Sequence, residues 1–188
     1  MKRIRIELLL VALACIVPVV GAYLLYFFGD LRSLPTVENP DRQLVSPAVP
    51  LPPPPSAAAS GTGWGPDWSL LYVRTSACDD ACRGHLLRIA QVHVRLGRDQ
   101  HRVRRVYLGP DAAALASEDP TLAVAGTAEA SADALLDALA SAAAPPGNEG
   151  RLYVVDPHGN LVMSYPPNAD QRGLLKDLER LLDVSQIG

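Results

Sequence analysis

Cysteine is scarce in this 188-residue chain: there are three, and Cys15 falls within an apolar N-terminal run. A scaffold stapled by disulfides is thereby excluded, because one thiol pair, Cys78 and Cys82, is left for the remainder. Aromatic residues make up only 5% of the chain, so the core is expected to be aliphatic. The formal net charge is -3, which gives no global electrostatic case for nucleic acid. Glycine-rich phosphate loops and nucleophile elbows are absent, as are internal repeats, so neither nucleotide binding nor serine hydrolysis is supported.

What is present centres on Ser69 to His85. An apolar, β-prone run, Leu70 to Val73, ends in small polar residues, and Cys78 and Cys82 follow as a helical pattern begins. The spacing predicts a strand, a short loop, and a helix whose first turn carries both thiols. A helix N-terminus favours thiolate over thiol. Residues one turn apart lie about 6 Å from each other along the axis, which is within reach of a disulfide. The pair could hold a soft metal ion, cycle electrons, or form a static bond, and these alternatives stay open on spacing alone. Asp79 and Asp80 sit between the thiols and oppose the helix-dipole effect. His85 lies three residues after Cys82 and is a candidate third donor. His93 and His101 are expected on the helix surface and in the following loop, and His158 in a solvated turn.

Ahead of this site, residues 8–28 form 21 positions without a charge, enough to span a bilayer core of about 30 Å. Lys2, Arg3 and Arg5 precede that run. The positive-inside rule keeps residues 1–7 cytoplasmic and places the rest beyond the inner membrane. Residues 29–66 are rich in proline and alanine, culminating in Leu51-Pro-Pro-Pro-Pro55, and read as an extended tether that cannot build a core.

The folded domain is expected over 67–188. After the first strand and the helix Ala81–Leu96, Val103–Leu108 reads as a second strand. Short helical and strand segments follow at 111–118 and 121–125, then a helix at 131–144. Arg151–Asp156 and Leu161–Tyr165 flank a Pro157-His-Gly-Asn160 turn and read as a hairpin. Asp170–Asp183 closes the chain as an amphipathic helix. Leu86, Leu87, Ala90 and Val94 are expected to face the sheet from the first helix. This order is that of an α/β, thioredoxin-like mixed sheet flanked by helices, preceded by one transmembrane helix and a Pro-rich tether. Arg83, Arg88, Arg95, Arg98, Arg102, Arg104 and Arg105 form a basic stretch, a docking face or a solvated one.

The anchor, the tether, Cys78-x-x-x-Cys82 after a strand, and Tyr153-Val-Val-Asp156-Pro157-x-Gly159-Asn160 together resemble the Sco/SenC family. The helix from Cys82-Arg83 to Leu96-Gly97-Arg98-Asp99 and the ending from Lys176 to Gly188 resemble a divergent proteobacterial branch of it. The resemblance implies a membrane-anchored, thioredoxin-fold copper protein of the periplasmic face that helps assemble cytochrome c oxidase. It implies Cys78 and Cys82 as ligands for Cu(I), delivered to the copper-site subunit of that oxidase. The protein would then be an assembly factor rather than an enzyme. A thiol–disulfide reductase keeping the oxidase cysteines reduced, and a non-catalytic scaffold, are the alternatives. The third ligand of the family, a histidine, is missing, since a gapless count back from Asp156 lands on Asn148. The flanking prolines are replaced by Asp79 and Arg83.

Overall fold

The computed structural model describes residues 15–18, 20, 39–55, 63–126 and 130–185. Two compact units divide the chain, residues 1–38 and 39–188. In the first, residues 15–18 are helical, and Ile16, Val17 and Val20 expose their side chains. Most of the expected span at 8–28 lies outside the described residues. Among the described residues no helix is long and apolar enough to cross a membrane.

In the second unit, β1 (Gln43–Pro50), β2 (Trp68–Val73), α1 (Asp80–Arg95), β3 (Val103–Leu108), α2 (Ala112–Glu118), β4 (Ala123–Ala125), α3 (Ala130–Ala142), β5 (Arg151–Val155), β6 (Asn160–Tyr165) and α4 (Gln171–Val184) follow in order. They build one mixed sheet of order β1-β6-β5-β2-β3-β4. Strand β2 lies near its centre, parallel to β3 and antiparallel to β5. Alternation along the strands sorts side chains onto two faces. Leu70, Tyr72, Tyr107, Val154 and Tyr165 pack with α1, α2 and α4, whereas Leu71, Val73, Leu108, Tyr153 and Val155 pack with α3. A strand buried on both sides reads as a continuous apolar run, as Leu70–Val73 does.

Two expectations are corrected. Part of the supposed tether is the edge strand β1, antiparallel to β6 with Gln43 opposite Ser164 and Val49 opposite Leu161. Pro47 and Pro50 are admissible there because an outer strand need not donate on its free side. Leu51 is buried beyond it, donating its N–H to the Gly159 carbonyl and accepting from Trp64 Nε1 at 3.1 Å. Asn39 and Arg42 reach Asp177 of α4 at 3.2 and 2.9 Å, and Tyr165 donates to the same carboxylate at 2.9 Å.

The second correction concerns α1. Its inward face is Cys82, Ile89 and Val92, with Leu86 half-buried against the core, while Leu87 and Val94 stand 60% and 63% exposed. Leu87, Ala90 and Val94 instead line a shallow surface depression with Gln91 and Arg95.

Candidate functional site

Three chain segments meet at the carboxyl end of β2. Residues 74–79 leave that strand, and Arg74 N–H bonds the Leu108 carbonyl at the end of β3. The segment 145–150 leads into β5 and is held against the first by Thr75 Oγ1 to Asn148 Oδ1 and Ser76 Oγ to the Asn148 carbonyl, 3.1 and 2.9 Å. The third, following β3, brings Asp111 Oδ2 to the Cys78 N–H at 2.5 Å. Loops at the carboxyl ends of parallel strands, where chain direction changes across the sheet, make the crevice that α/β folds use for chemistry.

Cys78 and Cys82 are joined as a disulfide, with Cα atoms 5.2 Å apart. They do not share the first helical turn. Cys78 precedes the N-cap, and Cys82 is the third helical residue, its N–H bonded to the Asp79 carboxylate at 2.9 Å. Asp79 is an N-cap because its short acceptor side chain satisfies an orphan N–H of the first turn. The two residues differ in exposure: Cys82 is 0% exposed, whereas Cys78 is half-buried against the same core cluster.

The acid beside the thiols does not act as a free negative charge. Arg74, 6% exposed, clamps Asp79 through two bonds of 2.7 and 2.8 Å and holds Ser76 Oγ with its Nε. The guanidinium, together with the Cys82 N–H, holds the Asp79 carboxyl well below the usual carboxylate range. The expectation that Asp79 raises the thiol pKa is therefore weakened, because its charge is shared with a buried cation. Asp80 keeps its place in the first turn.

His85 is not assembled with the sulfurs. Its Nδ1 lies 3.1 Å from Tyr72 Oη, which donates to the Glu149 carbonyl at 3.0 Å. The tyrosine has one proton, so Nδ1 carries the other and donates to the phenolic oxygen, leaving Nε2 with its lone pair. Burial and then Arg88 push the His85 pKa down, keeping the ring neutral near pH 7. It lines a narrow cleft with Tyr72, Arg88, Ile89 and Leu152. Among the described residues no three or more His, Cys, Asp or Glu side chains form a group that could hold a metal ion. The donors that do come together are two sulfurs, a set suited to soft Cu(I) once reduced and poor for Cu(II), which prefers nitrogen.

The remaining candidates fall into structural roles. His93 Nε2 lies 2.6 Å from the Val103 carbonyl and ties α1 to the following turn, while His101 bonds the Arg98 carbonyl. His158 is exposed in the hairpin turn. Asn148 occupies the segment where the resemblance places a histidine, but its side chain is engaged with Thr75. The basic stretch disperses: Arg83 pairs with Glu118, Arg98 and Arg102 with Asp99, and Arg105 with Asp119. Arg104 turns in to bond Ser69 Oγ and the Trp64 carbonyl. Arg74 and Asp111 were missed by the sequence reading, although each stands just beyond a strand end, where functional loops begin.

A cysteine pair at the carboxyl end of the central strand of such a sheet defines a thioredoxin-like domain. The chain belongs to the family of transmembrane-like, thioredoxin-like C-terminal domains, whose model matches residues 68–185. Solved structures of similar fold include apo Sco1 from Thermus thermophilus, 16% identical with a TM-score of 0.56, over 74% of this chain and 95% of that one. Copper-bound ScoI from Arabidopsis thaliana is 16% identical with a TM-score of 0.51, over 65% and 88%. Yeast Sco1 is 18% identical with a TM-score of 0.50, over 65% and 83%. At these identities the likeness concerns the fold, and it agrees with the thioredoxin-like, Sco-like architecture expected from the motifs. No curated protein matches the chain.

Proposed function

We propose that this is a membrane-tethered, Sco-like assembly factor acting on the periplasmic side of the bacterial inner membrane, with Cys78 and Cys82 exchanging electrons with the copper-site cysteines of cytochrome c oxidase. The observation that carries this reading is the asymmetry of the pair: a half-buried Cys78 bonded to a fully buried Cys82. Exchange needs one sulfur a partner can reach and one that resolves from within. In the reduced pair, Cys78 thiolate attacks a partner disulfide, and one partner sulfur leaves and takes a proton. Cys82 then attacks Cys78, releasing the second partner thiol and closing the Cys78–Cys82 bond. Two electrons pass to the partner, and an external dithiol restores the pair.

The membrane placement rests on the uncharged run 8–28 with its preceding cations, and on the outward Ile16 and Val17. The oxidase as partner rests on the resemblance to Sco proteins.

A second reading, delivery of Cu(I) as cargo between Cys78 and Cys82, is favoured by the soft two-sulfur donor set and by the solved Arabidopsis thaliana ScoI described with copper bound. One experiment separates them. The full-length chain in detergent, reduced, is titrated with Cu(I) against a competing chelator, and in parallel Cys82→Ser is mixed with an oxidised peptide bearing the oxidase copper-site cysteines. A trapped mixed disulfide at Cys78, without competitive copper uptake, is the expected result. One tight equivalent of Cu(I) lost in Cys78→Ser establishes delivery. If both cysteines can become serine without loss of oxidase assembly, the domain is a scaffold and both readings fail.

A further inference from the structure

Helix α1 turns Cys82, Ile89 and Val92 into the core and leaves its other side without a role in the site. Between Asp80 and Asp99 the sequence holds four arginines, Arg83, Arg88, Arg95 and Arg98, and no acid. The outward stripe runs through Arg83, Leu87, Gln91, Val94 and Arg95 at steps of about one turn, and Arg98 follows just beyond the helix. Isolated exposed apolar side chains are ordinary. Here Leu87 and Val94 stand on one stripe, and Leu44 and Val184 are the other large apolar side chains exposed among the described residues of the folded unit. Arg83 is balanced by Glu118. Arg95 makes no ion pair among the described residues, and Arg98, 92% exposed, has only a 3.7 Å contact with Asp99. The far face of the sheet carries the opposite sign, since α3 bears Asp133 and Asp137 and no cation. An apolar row edged by arginines, on a helix whose other side is core, is the pattern of helices that lie in the headgroup layer of a membrane.

Charge complementarity admits an anionic lipid surface or an acidic protein, and chain length favours the lipid. The folded unit begins at Asn39, so only residues 29–38 separate it from the uncharged run that ends at Phe28. A segment of that length reaches at most about 35 Å, little more than the diameter of a small domain. Asn39 is fixed on α4, bonded to Asp177 at 3.2 Å and pressed against Gly173. Helix α1 packs beside α4 on the same face of the sheet. The chain therefore enters the folded unit on the side that α1 and α4 cover. We infer that the outward stripe of α1 is a docking surface for anionic lipid, Leu87 and Val94 entering the headgroup layer while Arg95 and Arg98 meet lipid phosphates. Docking holds Cys78, the residue before the α1 cap, close to the bilayer surface. The inference rests on the membrane-tethered reading above.

The test places the full-length chain in lipid nanodiscs made of phosphatidylcholine alone, or with a third of it replaced by phosphatidylglycerol. Each disc carries a trace of lipid spin-labelled at the headgroup, and leucine and valine methyl signals are followed by NMR. In the anionic discs the Leu87 and Val94 signals are expected to broaden, while that of Leu136, on α3 across the sheet, stays sharp. The effect fades in neutral discs and at high salt, as screening requires. A basic side chain near an anionic surface contributes about fivefold to binding, so Arg95→Gln with Arg98→Gln is expected to lower the docked-to-free ratio about twenty-five-fold. Both are surface changes that leave the fold intact. Should that variant not fold, the lipid and salt comparisons on the wild-type chain decide. Leu87 and Val94 broadened no more than Leu136, or equally in neutral and anionic discs, overturn the docking surface and leave the stripe to an acidic protein. A chain that never associates with either disc sinks the membrane-tethered reading itself, whereas one that associates without selective broadening removes only this surface.

Discussion

Arg74 illustrates how much of the site is decided by single residues that carry no motif. It follows the last residue of β2, so its side chain starts in the core and ends on the Asp79 cap and Ser76. By locking Asp79 it fixes the N-terminus of α1 and the position of Cys82, whose N–H the same carboxylate accepts. The pH dependence follows from the sign of the Asp79 shift. Its carboxyl is held below its ordinary value of 3.8 in the folded chain, so the stabilisation is complete above that value and is lost as pH falls beneath it. Asp79→Asn keeps a competent cap but removes the ion pair. The urea midpoint of Asp79→Asn is expected to lie below wild type by a constant amount between about pH 5 and 8. The gap begins to narrow as pH drops below about 4 and closes only in stronger acid, as the folded carboxyl itself takes up its proton. A gap that persists unchanged at pH 3 shows that the Arg74 pair contributes no charge-dependent stability.

At the scale of elements, the sequence made the strands legible and misjudged the rotation of a helix. Val103–Leu108 as a strand, and the hairpin about Asp156–Asn160, were readable because β-branched and aromatic residues ran between clear turn signals. Helix α1 carries two apolar stripes, one through Leu86, Ile89, Val92 and Leu96 and another through Leu87, Ala90 and Val94. Periodicity alone cannot rank them. The covalent bond does, since Cys82 lies at zero exposure and turns its own stripe inward. Ile89→Ala is accordingly expected to cost about 2–4 kcal/mol as a core truncation. Leu87→Ala stays within about 0.5 kcal/mol of wild type, as for a surface change. Urea midpoints of the two variants check this, and equal losses show that the outward stripe is covered by something in the folded chain. The site was legible to a similar degree: the cysteines stood out by type and spacing. Arg74, Asp111 and the 145–150 segment are joined to them only by strand order, which no local pattern encodes.

For the whole molecule, the largest difference between sequence and structure is where the domain begins. Proline-rich composition reads as a spacer, yet Gln43–Pro50 closes one edge of the sheet and residues before it complete a buried polar cluster. Asp177 shows the consequence. Its carboxylate is 8% exposed and receives Asn39, Arg42 and Tyr165, with Arg42 its charge partner at 2.9 Å. A chain starting at Trp64, just ahead of the boundary that composition suggests, would leave this anion with Tyr165 alone and strip β6 of its outer strand. Breaking a buried pair from one side typically costs about 3–5 kcal/mol. For a domain of this size that corresponds to a Tm loss of roughly 10 °C. A chain starting at Asn39 is expected to melt as full-length does, because residues 39–188 form one compact unit. Adding Asp177→Asn to the shorter chain removes the uncompensated charge and should recover part of the loss. If the chain from Trp64 melts with the longer one, β1 and its polar anchor are dispensable, and the proline-rich segment is a tether after all.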